Sequence, residues 1–298
     1  MPRPAAAAVI VLVALAVTSF SRSRYYLQPY SDRLGLIRGD DTVIDNSLYD
    51  EAQWYENGTI WRTLEMMNTV RAPFFHRHLS RGGKVPSNGR YLDVGCGGGL
   101  LTEEMASTYG YNITGIDISE ASLQQARHHG RHLPNLHYQV GSAYEIPFPD
   151  NSFDGVIISD VLEHLLDLRA ALSEIHRVLK PGGVLVFDTI SRTLWSYTTV
   201  WLITQEILNI MPPNAHDWRL FITPTELGAA LANAGFSTVT DDEAAWAGLV
   251  LKSPVKGIFA LVGSGFKDPL ALFSYGFVED PNDFSAQYCG VAFKPPRV

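Results

Sequence analysis

Asp160, Glu163 and His164 are side chains that can ligate metal or move protons, and they crowd into one short stretch. Spaced at i, i+3 and i+4, they share one face if the stretch is a helical turn. Two carboxylates and an imidazole so placed can hold a divalent ion, and that ion can bind both oxygens of a catechol and lower the hydroxyl pKa. On ligand chemistry alone the imidazole tilts the choice towards zinc, manganese or iron, because magnesium prefers oxygen. The plainer reading has Asp160 capping a helix, Glu163 favoured by the helix dipole and His164 packed on a sheet. His216-Asp217, just before Trp218, is a second candidate acid–base pair, with a loop hydrogen bond as its plain alternative.

Upstream, Leu92-Asp93-Val94 runs into Gly95-Cys96-Gly97-Gly98-Gly99 and then into a helical pattern. Bare backbone of this kind approaches a nucleotide-like cofactor that side chains would exclude. Asp117 ends the next strand, 20 residues after Gly97, where a carboxylate accepts hydrogen bonds from ribose hydroxyls. These features are shared with nicotinamide enzymes, but Leu100 stands where the dinucleotide fingerprint has its third glycine. Asp93 before the loop would repel a pyrophosphate and suit a sulfonium. Gly95, Gly97, Asp93 and Asp117 therefore point to S-adenosylmethionine, against the plain reading of a tightly packed strand–turn–helix corner. Ser142, in Gly141-Ser142-Ala143-Tyr144, can meet an adenine amino group or simply make a turn.

These residues need a sheet whose carboxyl edge gathers them. From Arg90 onward β-rich runs alternate with helical patterns, which is the signature of a parallel sheet covered on both faces. Strands are expected at Arg90–Val94, Asn112–Ile116, Leu136–Val140, Phe153–Ser159 and Val184–Asp188, with helices over Thr102–Tyr109 and Glu120–His129, the latter capped by Ser119. A helix follows strand four as far as Leu179, and Pro181-Gly182-Gly183 reads as a turn. Thr223-Pro224 with Glu226 opens another helix, and Phe236–Thr240 and Tyr288–Phe293 read as terminal strands. The fold class is thus α/β, doubly wound and Rossmann-like. Residues 1–40 form an apolar anchor or targeting segment, 41–88 a helical cap, and 89–298 the cofactor-binding domain with a helical cover at about 191–232.

In the cap, Tyr49, Trp54, Trp61, Leu64 and Met67 fall at helical spacing, fit to cover the cofactor pocket or simply to pack. The apolar stretch Leu194–Ile203 reads equally as a lid or membrane-dipping helix and as a buried core helix.

With 46% hydrophobic and 18% charged residues, the 298-residue chain can bury a sizeable core. A net charge of -8 without a basic run argues against a nucleic-acid partner. Two cysteines, Cys96 within the glycine loop and Cys289, make no disulfide scaffold. The apolar run Ala5–Phe20 has Arg3 before it and Arg22 and Arg24 after it, with no acid until Asp32. It reads as signal anchor, organelle presequence or cleaved signal, the first two favoured by the arginines that follow, with a buried helix as the remaining alternative.

Leu92–Leu101, Thr114-Gly115-Ile116-Asp117, Val161-Leu162-Glu163-His164 and Leu179-Lys180-Pro181-Gly182-Gly183 together resemble the core motifs of the ubiquinone-biosynthesis O-methyltransferases, which act on polyprenylated catechols. Asn68-Thr69-Val70-Arg71, Ala215-His216-Asp217-Trp218 and Phe221–Leu227 extend the likeness over roughly Asp45 to Ala234. The resemblance implies that Arg71 lies near the methionine carboxylate and that Asp160, Glu163 and His164 hold magnesium, Asp160 standing where the family commonly has glutamate and also facing the cofactor. It implies transfer of a methyl group to a lipophilic catechol or phenol, with His164 and His216 as catalytic candidates. A membrane surface or anchor and a biosynthetic complex become the expected partners. The expected location is the matrix side of the mitochondrial inner membrane in a eukaryote and the cytoplasmic membrane otherwise. Trp246–Phe277 and the N-terminal run fall outside the likeness. Three rivals stay open: another phenolic acceptor, a membrane-tethered subunit that binds cofactor without turnover, and a nicotinamide oxidoreductase.

Overall fold

The computed structural model describes residues 46–56, 61–81, 88–207, 211–212, 214–238, 245–265 and 267–297. The apolar run Ala5–Phe20 and its arginines lie outside them. β-branched and aromatic runs form β1 (Tyr91–Val94), β2 (Ile113–Asp117), β3 (Leu136–Val140), β4 (Phe153–Ser159) and β5 (Leu179–Ile190). Between and before them come α1 (Trp61–Leu79), α2 (Leu100–Tyr109), α3 (Glu120–Gly130) and α4 (Leu168–Val178), and α5 (Pro224–Asn233) follows. Sequence signals set several of these ends. Ser119 accepts from Ser122 N–H at the start of α3, and Thr223 with Glu226 makes a reciprocal capping box on α5.

The sheet order is β3-β2-β1-β4-β5-β8-β6-β7, where β6 is Trp246–Leu251, β7 Phe277–Asp280 and β8 Gln287–Phe293. The first five strands are parallel; β8 pairs antiparallel with β5, and β6 with β8 and β7. Period-two alternation divides the core. Val156, Ile158, Leu185 and Phe187 pack with Leu172, Ile175 and Leu227 on one face, while Ile157, Val184 and Val186 pack with Phe74, Phe75 and Met105 on the other. Each such side chain, when fully buried, contributes roughly 1.5–3 kcal/mol of transfer free energy. The order of strands in the sheet reverses between β1 and β4, and the carboxyl edge there is where this architecture binds ligands.

Departures from the expected elements have local causes. After β4 the chain makes only a 3₁₀ turn, Leu162–His164, before Asp167 caps α4. Lys180 to Gly183 do not end a strand but bulge from a continuous β5, since Phe153 faces Leu179 while Gly155 faces Val184; Gly182 has φ +78°. The Phe236–Thr240 strand reduces to one bridge, Ser237 to Phe293, with residues 239–240 outside the described part. Its place is taken by β6 and β7, joined through α6 (Pro254–Gly263) and a 3₁₀ turn at Pro269–Phe273.

The described part of the expected cap is a 3₁₀ turn, Asn46–Tyr49, irregular chain over residues 50–56, and α1. The cover is one helical turn, Leu194–Ser196, running on as a π-helix, Tyr197–Ile207. There the hydroxyls of Thr198, Thr199 and Thr204 donate to carbonyls four residues back. Among the described residues no helix is long and apolar enough to cross a membrane.

Candidate active site

A cavity of about 950 Å³ opens at the carboxyl edge of β1 and β4, towards the upper end of the range for small-molecule sites. Its floor is the glycine loop. Gly95, Gly97 and Gly99 have φ of +75°, +51° and +84°, in the left-handed region that glycine adopts without strain. Asp117 secures the loop: Oδ2 accepts from Gly97 N–H at 2.8 Å and Oδ1 from Ser119 N–H at 2.9 Å. Burial raises its pKa, and those backbone donors pull it back. Each oxygen keeps a further lone pair for a ribose hydroxyl. Asp93 is buried under the loop, accepts from the Thr102 hydroxyl at 2.6 Å, and is pushed by burial up to about 6. Ser142 lines the cavity, but its hydroxyl also accepts from Tyr144 N–H, as in the turn reading.

The segment from 46 to 56 closes one side as a strap. The Trp54 ring lies on the loop so closely that a Cβ on Gly98 would come 2.1 Å from its Cγ. Its Nε1 donates to Ser122 Oγ at 2.9 Å, and Ser122 Oγ donates to the Tyr49 carbonyl at 2.7 Å. Ser119 bonds Asp50, Gln125 bonds the Ala52 carbonyl, and the Tyr55 hydroxyl donates to Gly98 O. Tyr49 and Trp54 were legible in sequence as aromatics at helical spacing, although the strap is mostly not helical.

Asp160 parts company with Glu163 and His164. Its φ is +53°, so the three do not share a helical face. Its carboxylate pairs with Arg71 Nη1 and accepts from Gln287 Nε2 at 2.6 Å. Gln287 also donates to Asp188 Oδ2 at 2.7 Å, and Arg71 lies 3.5 Å from that oxygen. Burial opposes the charge on Asp160, yet the Arg71 guanidinium holds its carboxyl below the usual range; burial and the Asp160 charge push Asp188 up to about 8. Arg71, also bonded through Nε to Asn68, reaches the cavity wall as part of this network. Sequence reading missed Asp188 and Gln287, because only the antiparallel pairing of β5 with β8 brings them together.

Glu163, His164 and His216 instead form a group whose ligand atoms all lie within 4.8 Å of one another. Glu163 is buried; Oε2 accepts from Thr189 at 2.8 Å, while Oε1 has no hydrogen-bond partner among the described residues. Burial first, and the Asp160 charge second, raise its pKa well above the usual value. The His164 and His216 rings are 5.1 Å apart, and the Tyr49 hydroxyl lies 3.4 Å from His164 Nε2. Gln205 of the π-helix fixes His216 by bonding both its N–H and its carbonyl. Burial lowers the His216 pKa to about 4, and its Nδ1 is unpartnered among the described residues. Asp217 turns away to Arg219, so His216-Asp217 is not an acid–base pair.

Residues 92–187 match the methyltransferase-domain family. The ubiquinone biosynthesis O-methyltransferase of Dinoroseobacter shibae is 34% identical over 196 residues, 63% of this chain and 79% of that protein. That of Chromobacterium violaceum is 32% identical over 207 residues, 67% and 85% of the two chains. The mitochondrial enzyme of Bos taurus is 34% identical over 199 residues, 63% of this chain but 54% of that protein, so the chain spans about half the length of the mammalian relatives it matches. A phosphoethanolamine N-methyltransferase of Haemonchus contortus has the same fold, with a TM-score of 0.53, 19% identity, and 85% and 61% of the two chains covered. The fold carries other activities too, as the [4+2]-cyclase SpnF shows with a TM-score of 0.52, 21% identity and coverage of 82% and 86%. By these two bacterial relatives, each matched over more than two thirds of its length, the chain belongs to the ubiquinone biosynthesis O-methyltransferase family.

Proposed function

We propose that the protein transfers a methyl group from S-adenosylmethionine to a hydroxyl of a prenylated catechol, a precursor of ubiquinone. The observation that carries this reading is that one cavity joins the glycine loop and Asp117 to the Glu163–His164–His216 group beneath an apolar cover. S-adenosylmethionine supplies an electrophilic methyl on a sulfonium when bound. The loop backbone and Asp117 would hold its ribose, and the Arg71–Asp160 network would face its amino-acid end. The chain's own contribution is alignment and exclusion of water, with the strap and the π-helix closing over the reacting atoms.

Glu163, His164 and His216 fit a divalent ion, since Glu163 Oε1 and His216 Nδ1 are buried and lack partners among the described residues. Such an ion, when bound, lowers the pKa of a coordinated hydroxyl. His216 suits a ligand's role better than a base's: a pKa of about 4 keeps it neutral at pH 7 but makes it a weak proton acceptor. Two imidazoles and one carboxylate favour manganese, zinc or iron over the magnesium that the resemblance implies. Because ligation occupies the ring, His164, on the cavity wall, would receive the proton of the attacking hydroxyl only in an ion-free site. The acceptor brings the protein to a membrane, and the mitochondrial placement in the mammalian relatives' names supports a mitochondrial one in a eukaryote.

Methyl transfer from labelled S-adenosylmethionine to a short-tail prenylated catechol tests this, run with magnesium, with manganese, with chelator, and in Glu163→Ala and His216→Ala. Turnover that needs the ion and both side chains is expected. Cofactor binding without transfer to any catechol would replace the catalyst with a binding subunit.

A further inference from the structure

Helix α6 is apolar on two opposite sides. Gly257 and Leu261 are buried against the fold, and Ile258 and Leu261 line the cavity. On the far side Val255, Phe259 and Val262, at i, i+4 and i+7, make a stripe open to solvent: Phe259 is 71% exposed, Val255 54% and Val262 41%. A surface helix ordinarily turns polar residues outward, and leaving such side chains in water forgoes the stabilisation that burial gives. Val255 and Val262 also reach the cavity wall, so the stripe runs unbroken from the outer surface to the interior.

The surroundings of the stripe select its occupant. Lys252, Lys256 and Lys267 are exposed about α6, with Asp268 the exposed acid among them, in a chain whose net charge is -8. Tyr275 is 46% exposed and carries Lys256 Nζ 5.8 Å from its ring centre. Lysines and a tyrosine bordering an apolar stripe match the headgroup layer of an anionic bilayer. The Leu194–Ile203 cover, which reads in sequence equally as a lid or membrane-dipping helix and as a buried core helix, is mostly half-buried over the cavity, with only Leu194 open.

We infer that α6 docks the protein on an anionic lipid surface, with Phe259 at the boundary of headgroups and acyl chains. The acceptor's apolar tail then enters the cavity beside Val255 and Val262. The route of the tail rests on the proposed lipophilic acceptor; the docking does not.

The full chain also carries its N-terminal apolar run, so binding alone would not assign the surface. A nitroxide on Phe259→Cys, corrected for labelling of the unmutated chain, reports depth on vesicles of phosphatidylcholine with and without phosphatidylglycerol. The control is Ser173→Cys on α4. With anionic vesicles the label at 259 is expected to meet oxygen and be shielded from an aqueous nickel complex, and that at 173 to stay in water. Phe259→Glu with Lys256→Glu should weaken vesicle binding about tenfold or more, and slow turnover of vesicle-borne acceptor while leaving that of a short-tail soluble acceptor unchanged. A label at 259 that stays aqueous on anionic vesicles, or a stripe buried in a dimer that Phe259→Glu dissolves, overturns the docking. A protein that methylates no catechol yet buries position 259 in lipid keeps the docking and loses the catalytic reading.

Discussion

At His216 a single buried imidazole sets a pH dependence. Unfolded, it titrates near 6.5; folded, burial lowers it to about 4. Folding therefore prefers the neutral form, so this contribution to stability is whole above about pH 6.5 and drains away as the pH falls towards 4, by roughly 3 kcal/mol. Denaturant midpoints at pH 7.5 and 4.5 check it: His216→Gln should lose less on acidification than the parent, and equal losses would place the effect elsewhere. Much of this site could be read from sequence, because Asp117, Glu163, His164 and the glycine loop sit beside strand ends that the alternation of patterns locates. Asp160 departed from its expected partners because a left-handed backbone turns it towards Arg71, and no spacing rule foresees that. His216 stood out as a residue, but its approach to Glu163 depends on Gln205 of the cover, far from β4 in the chain.

The strap is an element with its own energetics. Trp54 holds it to the glycine loop and, through Ser122, to α3. Trp54→Ala removes the packed ring and one hydrogen bond, and is expected to raise the rate of cofactor dissociation about tenfold or more, measured by stopped-flow displacement of S-adenosylhomocysteine. An unchanged rate would mean that the strap packs without gating. The five parallel strands were legible because each is a short β-rich run bounded by helical patterns. β6 and β7 were not: β7 has four residues at the sheet edge, and the α6 between them is apolar on both sides, leaving no periodicity to read.

For the molecule as a whole, ligand binding and folding are linked. S-adenosylhomocysteine at a hundred times its dissociation constant adds about 2.7 kcal/mol, which for a chain of this size raises Tm by about 4 °C. A thermal scan with and without it checks this, and a shift with NADH in its place would reverse the reading of Leu100 and Asp93. The doubly wound half of the fold follows from local patterns, whereas its antiparallel extension is fixed by contacts that only the assembled sheet makes. The seam between strap and α3 has a kinetic meaning as well. With Trp54, Tyr49, Asp50 and Ala52 all tied to α3 and its cap, a gating strap would let a ligand on the glycine loop exchange only when this seam opens, whereas an acceptor entering beside α6, as inferred above, would not need it to open. If the proposed methyl transfer proceeds behind such a gate, the donor's spent form is expected to leave last, so that S-adenosylhomocysteine would inhibit competitively against the methyl donor and noncompetitively against the acceptor.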